Sequence, residues 1–150
     1  MPGFPSLTET ERKHPDTAMT ARILIVEDEM LVAMELEAIL EDLGHQPAGI
    51  APDLATADDY FDLPLDLALV DLNLRDGLTG PQIAERLSSK GVPVIFITAN
   101  PRQLGSGLAG TIGVITKPTD PATVKAAIDY VLGVRSGLQV VPPPNLKLFG

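Results

Sequence analysis

Asp66-Leu67-Ala68-Leu69-Val70-Asp71 is the stretch that decides the fold. Its apolar run is short and continuous, and the Gly-containing segment 72–80 bounds it, as expected of a strand buried on both faces. Asp71 then stands at the strand's carboxyl end, the edge at which open α/β sheets place their ligands. Two other runs end in related chemistry. Ile23-Leu24-Ile25-Val26 leads into Glu27-Asp28, and Val114-Ile115-Thr116 leads into Lys117-Pro118.

Outward from these runs, strand and helix patterns alternate five times, the signature of a parallel sheet with helices on both faces. A first strand at 22–26 precedes a helix at 30–43 that lines up Val32, Leu36, Ile39, Leu40 and Leu43, with Gly44 as its left-handed stop. A weak strand at 48–51 follows. Asp53 then caps a helix burying Leu54, Ala57 and Phe61. Pro81, at a first helical position, opens a helix carrying Ile83, Ala84 and Leu87. The run 92–98 is nearly all β-branched or apolar and suits a central strand. Pro101, Gly105, Gly107 and Gly110 crowd the next connection, so the fourth helix is expected to be short or distorted, each interior Gly costing about 1 kcal/mol against Ala. A strand at 111–116 and a helix from Asp120-Pro121 to Gly133 complete the pattern. The expected fold is α/β and flavodoxin-like: a doubly wound, five-stranded parallel sheet of order 2-1-3-4-5. Residues 1–20 read as a flexible N-terminal arm, 21–133 as the domain, and 134–150 as a Pro-rich tail whose Leu146-Lys147-Leu148-Phe149 is apolar enough to dock on the body or on a partner.

Composition narrows the chemistry. With no cysteine, disulfides, thiolate metal sites and thiol nucleophiles are excluded, and His14 and His45 are too few for a histidine-ligated metal centre. A net charge of −9 argues against nucleic acid, whose phosphates need clustered Lys and Arg. No run approaches membrane-spanning length and residues 1–20 hold no signal-like apolar core, so a cytoplasmic protein is expected. No Gly-rich nucleotide fingerprint is present. In the 2-1-3-4-5 order, strands one and three flank the switch point, and Glu27, Asp28 and Asp71 converge there with Thr98 and Lys117 on the same rim. Clustered carboxylates repel unless a positive charge compensates, and Mg²⁺ is the hard cation suited to them. Taken singly, Asp71 is a strand end, Asp28 and Glu29 are helix-dipole partners, Thr98 is a β-former and Lys117 is a solvated charge. Jointly, these plain readings demand four coincidences on one edge.

In this order and in these strand contexts, Glu27-Asp28, Asp71, Thr98 and Lys117-Pro118 resemble the receiver domain of bacterial response regulators, over residues 20–133. Val92-Pro93-Val94-Ile95-Phe96-Ile97-Thr98-Ala99-Asn100-Pro101 is similar to strand four of the CheY-like subgroup found in single-domain regulators, and in receivers fused to a sigma-factor-like domain in stress signalling. The resemblance implies that Asp71 is the phosphoacceptor and that Asp28 binds Mg²⁺ directly. It implies that Glu27 acts through metal-bound water and that the Asn73 backbone carbonyl completes the ligands. Thr98 and Lys117 would each meet a phosphoryl oxygen, and Lys117-Pro118 would be cis. The donor would be a phosphohistidine on a sensor histidine kinase or histidine phosphotransfer protein. The chain would be a stand-alone phosphoacceptor switch, not an enzyme in the ordinary sense, signalling by contact or draining phosphate as a monomer or weak homodimer. Two positions depart from the family pattern: Val114 stands where many receivers carry an aromatic, and Thr119 replaces a common Phe after Lys-Pro.

Two alternatives follow from the same residues. A pseudo-receiver binding module would keep the acids without being phosphorylated, against which Thr98 and Lys117 argue. A phosphatase of the haloacid dehalogenase type needs a second acid two residues after the first; Asn73 stands there and cannot donate and retake a proton.

Overall fold

The structure, a computed structural model, describes residues 20–149; the expected N-terminal arm lies outside the described residues apart from Thr20. Strands β1 (Arg22–Val26), β2 (Gln46–Ala51), β3 (Leu67–Val70), β4 (Val94–Thr98) and β5 (Gly113–Thr116) form a parallel sheet in the order β2-β1-β3-β4-β5. Helices α1 (Met30–Asp42), α2 (Leu54–Asp58), α3 (Gly80–Ser89) and α4 (Pro121–Arg135) cover its two faces. The two-residue side-chain period of a strand divides the core cleanly. Leu24, Val26, Ala68, Val70, Phe96 and Val114 face α2 and α3, while Ile23, Ile25, Leu67, Leu69, Ile95, Ile97 and Ile115 face α1 and α4. Near-continuous aliphatic strands therefore arise because both faces are covered.

Local chemistry sets the helix starts. The Asp53 carboxylate accepts the Thr56 N–H at 2.8 Å, and Asp120 does the same for Thr123 at 2.8 Å, so α2 and α4 each begin with an orphan donor satisfied. The connection after β4 holds no α-helix: it is a 3-10 turn, Pro101–Leu104, followed by Gly105, Gly107 and Gly110 at positive φ. That is the short, distorted segment expected from its glycines.

The sheet has six strands rather than five. β6 (Lys147–Leu148) lies in the Pro-rich tail and pairs antiparallel with β5, Gly113 opposite Leu148 and Val114 opposite Lys147. The tail docks through both of its apolar ends. Leu146 is buried on the α4 face, and the Phe149 ring tilts against Phe96 at a centroid distance of 6.3 Å on the other face. The expected stop at Gly133 also fails, because α4 runs two residues further to Arg135. Gly133 instead makes room for the tail: an added Cβ would meet Val140 Cγ1 at 3.0 Å.

Asp53 is held well below the usual carboxylate range, at about 2, first by its hydrogen bond from Arg75 and then by the Thr56 N–H. A carboxyl depressed in the native state contributes stability above its unfolded value of 3.8 and loses it as pH falls towards 2. Asp53→Asn retains a capping side chain but not the charge. It should lower the denaturation midpoint at pH 7, with the deficit shrinking between pH 4 and pH 2; denaturant titrations across that range measure it.

Candidate functional site

Strand register assembles the site. β1 and β3 pair Val26 with Val70, so one residue further on Glu27 and Asp71 leave adjacent strands side by side. The Asp71 N–H donates to the Val26 carbonyl at 2.9 Å and the Glu27 N–H to Ala51 at 3.0 Å, which extends sheet geometry to both acids. Asp28 turns the chain into α1. Glu27, Asp28 and Asp71 each present a carboxylate oxygen within 4.8 Å of the others. The loop after Asp71 folds back hard on the strand end, where Gly80 packs so closely on the Asp71 carbonyl and Leu72 backbone that any Cβ would collide.

Lys117 reaches into this cluster from the end of β5. Its Nζ lies 2.7 Å from Glu27 Oε1 and 2.9 Å from Asp71 Oδ2, with the exposed Glu29 at 3.3 Å. The second oxygens are also engaged: the Leu72 N–H donates to Asp71 Oδ1 at 2.7 Å and the Glu29 N–H to Glu27 Oε2 at 3.1 Å. Glu27 and Asp71 are nearly sealed from solvent, at 2% and 8% exposure. Burial pushes the Glu27 carboxyl above its ordinary value, and its hydrogen bond to Lys117 only partly offsets this. Burial pulls the Lys117 ammonium the other way, but hydrogen bonds to Glu27 and Asp71 outweigh it and hold Lys117 above the usual lysine range. It therefore stays charged at neutral pH. A buried acid with elevated proton affinity beside a fixed cation is an arrangement with unspent negative charge, and an all-oxygen donor set of three carboxylates suits a hard divalent cation.

The other expected residues fall on the same rim. Thr98 is buried at the end of β4, and its hydroxyl oxygen accepts the Asn100 N–H at 3.1 Å, leaving the hydroxyl proton to be donated elsewhere. Asn73 lies in the loop after Asp71, where its side chain donates to Gln103 Oε1 of the 3-10 turn at 3.2 Å. Lys117-Pro118 is cis. Two contributors escaped the sequence reading, and a third, Glu29, figured there only as a helix-dipole partner. Glu29 joins the lysine, Gln103 links the two loops that border Asp71, and Arg75 ties the Asp71 loop to Asp53 at 2.6 Å. Only Glu29 carried a signal, as the third of three consecutive acids. His45 accepts the Ala21 N–H at 3.0 Å, a packing role remote from the rim.

Comparison with known proteins gives the family. The response regulator receiver domain family matches residues 23–129, and the chain belongs to that family. It is 39% identical over 121 residues to the phyllosphere-induced regulator PhyR of Methylorubrum extorquens, covering 76% of this chain and 44% of that protein. The receiver domain of PhyR from Erythrobacter litoralis superposes with a TM-score of 0.71 at 35% identity, over 81% of this chain and 97% of that one. The anti-anti-sigma factor PhyR from Bartonella quintana gives 0.68 at 32% identity, over 85% of this chain and 54% of that one. The chain thus spans less than half the length of its curated relative from Methylorubrum. Among the described residues, no helix is long and apolar enough to cross a membrane.

Removing the cation from a buried group of carboxylates leaves uncompensated charge. Lys117→Met should destabilise the domain by about 3 kcal/mol at neutral pH, the low end for a pair at the rim of a fold. Because Glu27 takes up a proton readily, the loss should be smaller at pH 5 than at pH 8, as compared by denaturant unfolding in metal-free buffer.

Proposed function

We propose that the chain is a phosphoacceptor switch in a two-component or phosphorelay pathway, with Asp71 as the residue phosphorylated. The observation that carries this reading is the meeting of three carboxylates with Lys117, whose ammonium contacts the Asp71 oxygen not taken by the Leu72 N–H. In this reading Asp28, Asp71 and the Asn73 backbone carbonyl would hold Mg²⁺, and Glu27 would act on it indirectly. When bound, the ion supplies positive charge against the equatorial phosphoryl oxygens, whose neutralisation governs phosphoryl transfer. The chain's own residues do the rest. The Leu72 N–H orients the Asp71 carboxylate, Lys117 exchanges its contact with Asp71 for a phosphoryl oxygen, and the Thr98 hydroxyl donates to another. An Asp71 oxygen bonds to phosphorus as the P–N bond of the donor's phosphohistidine breaks and its imidazole departs with the electron pair; water later cleaves the acyl phosphate to the free Asp71 carboxylate and inorganic phosphate, so turnover is confined to the protein's own phosphorylation and dephosphorylation.

A macromolecular donor is supported by the surface beside the site. Met30, Leu31 and Met34 stand exposed at the start of α1, at 53%, 83% and 53%, an apolar display that a small phosphodonor would not need. A phosphohistidine on a sensor kinase or phosphotransfer protein fits this surface. Relatives described as a stress response regulator and as an anti-anti-sigma factor support a role in stress signalling.

Acetyl phosphate with Mg²⁺ should add one phosphoryl group to the chain by intact-mass spectrometry, and Asp71→Asn should add none. Labelling that persists in Asp71→Asn would assign the acceptor elsewhere. Lys117→Ala and Thr98→Ala should keep the acceptor but slow labelling, by about 10² or more for the lysine, the scale of one lost charge-stabilising donor.

A further inference from the structure

Asp28 is the unpaired member of the acid cluster. Glu27 and Asp71 share Lys117, whereas Asp28 makes no hydrogen bond or ion pair among the described residues. A second cation stands near it. Arg75 follows Asn73 by two residues, and the acids whose charge it feels are Asp53, Asp76 and Asp28. Asp76 is already engaged through both oxygens, accepting the Leu54 N–H at 3.1 Å and the Thr79 hydroxyl at 2.5 Å. Asp53 takes the guanidinium. Arg75 Nη2 lies 2.6 Å from its Oδ2, while its Oδ1 accepts the Thr56 N–H at 2.8 Å.

The ion pair is not the loop's only anchor. The Arg75 N–H donates to the Pro52 carbonyl at 3.2 Å, Leu74 and Gly77 exchange N–H bonds at 2.8 and 3.0 Å, and the Leu74 side chain is buried in the core. Together with the Asp76 bond to Leu54, these contacts keep residues 74–77 against the start of α2 whether or not the guanidinium is engaged. What the ion pair alone fixes is the position of a charge. The Arg75 side chain is 66% exposed and Asp53 16%, and a pair so open to water adds only modestly to stability. Released from Asp53, a guanidinium on its long stem is drawn to the nearest carboxylate without a partner, and that is Asp28.

We propose that Asp53 is the keeper of Arg75: by holding the guanidinium it leaves Asp28 open to a divalent cation, for which a released Arg75 competes. Both are positioning residues, since neither touches the acceptor. The inference rests on the reading of Glu27, Asp28 and Asp71 as a Mg²⁺ site. Competition follows from charge. Lys117 already offsets Glu27 and Asp71, so Asp28 contributes the carboxylate whose charge is least compensated, and a hard divalent ion is drawn to it. Arginine stays protonated at any working pH, so it cannot give way to the ion by losing its proton. Only a carboxylate elsewhere can hold it off.

The test measures Mg²⁺ affinity of the full chain by isothermal titration calorimetry, with no phosphodonor present. Asp53→Asn and Asp53→Ser both keep a side chain that caps α2, and both release Arg75. Each should weaken Mg²⁺ binding by about three- to tenfold at low ionic strength, the scale of an exposed charge pair acting beside a divalent ion, with the loss shrinking as salt is raised. Adding Arg75→Gln to either variant should restore the affinity. Arg75→Gln alone, which leaves the cap intact, should bind at least as tightly as the wild type. A tether that merely seats the loop gives the reverse, so weaker binding in Arg75→Gln, or no recovery in the double variants, overturns the proposal. Wild-type affinity in the Asp53 variants does the same. Asp62→Asn removes an equal charge from the ion pair with Lys90, ahead of β3 at the end of the sheet opposite the rim, and should bind as the wild type does. Equal weakening there would reduce the effect to net charge and overturn the keeper role. A wild-type chain that binds no Mg²⁺ at all would overturn the metal reading itself, a failure distinct from the others.

Discussion

One ammonium group holds the rim together. Lys117 leaves β5 and satisfies Glu27 after β1 and Asp71 after β3, at 2.7 and 2.9 Å, across the full width of β4. Without it, two nearly sealed carboxylates would face each other from adjacent strands. The cost of burying such charges is repaid only by close, well-oriented partners, and every oxygen of the pair has one. The parallel register of β1 and β3 makes the proximity unavoidable, since any chain paired Val26 to Val70 must bring the next residues together.

Much of this was readable in the sequence because it depends on short-range pattern. Unbroken aliphatic runs identified the strands, the apolar spacing of Leu36 and Leu40 identified α1, and Asp53 and Asp120 announced their helices by capping. The rim residues followed, because Glu27, Asp71, Thr98 and Lys117 each lie at or one step past a strand whose end was plain, with Asp28 and Asn73 in the loops just beyond. The shortfall lies at the β5 side. A strand of two residues in a proline-rich tail has no periodicity to detect, and its partner lies more than thirty residues upstream. Gly107 and Gly133 were read as backbone breakers; Gly107 does turn the chain at positive φ, and the side chains that both lack also leave the space into which Phe149 and Val140 fit. A glycine's purpose is ambiguous until its neighbour in space is known.

The 3-10 turn and the tail belong to one solution. An α-helix after β4 would cover Phe96 and Val114 on the α3 side of the sheet. Here a four-residue turn leaves that corner thin, Leu104 is its one buried residue, and Phe149 packs over Phe96 in compensation. Val114, smaller than an aromatic, leaves volume at the same corner. Residues that differ from the common receiver pattern therefore cluster where the tail lands.

The loop tethers make the molecule mechanically lopsided. On the β2 side, Arg75 grips Asp53 at 2.6 Å and Asp76 accepts the Leu54 N–H at 3.1 Å, lashing the Asp71 loop to the start of α2. On the opposite side, the strip from Gly105 to Gly110 is steadied from side chains by Ser88, bonded to the Gly110 carbonyl at 3.0 Å, and by the neighbouring Thr111, bonded to the Leu108 carbonyl at 2.6 Å, neither of them a charged tie. The two borders of the acid cluster are therefore held by different chemistry. On the glycine flank the acid cluster connects through neutral bonds alone, Asn73 to Gln103 and the Asn100 N–H to Thr98, so an ion pair braces one border of the rim and amide and hydroxyl groups the other.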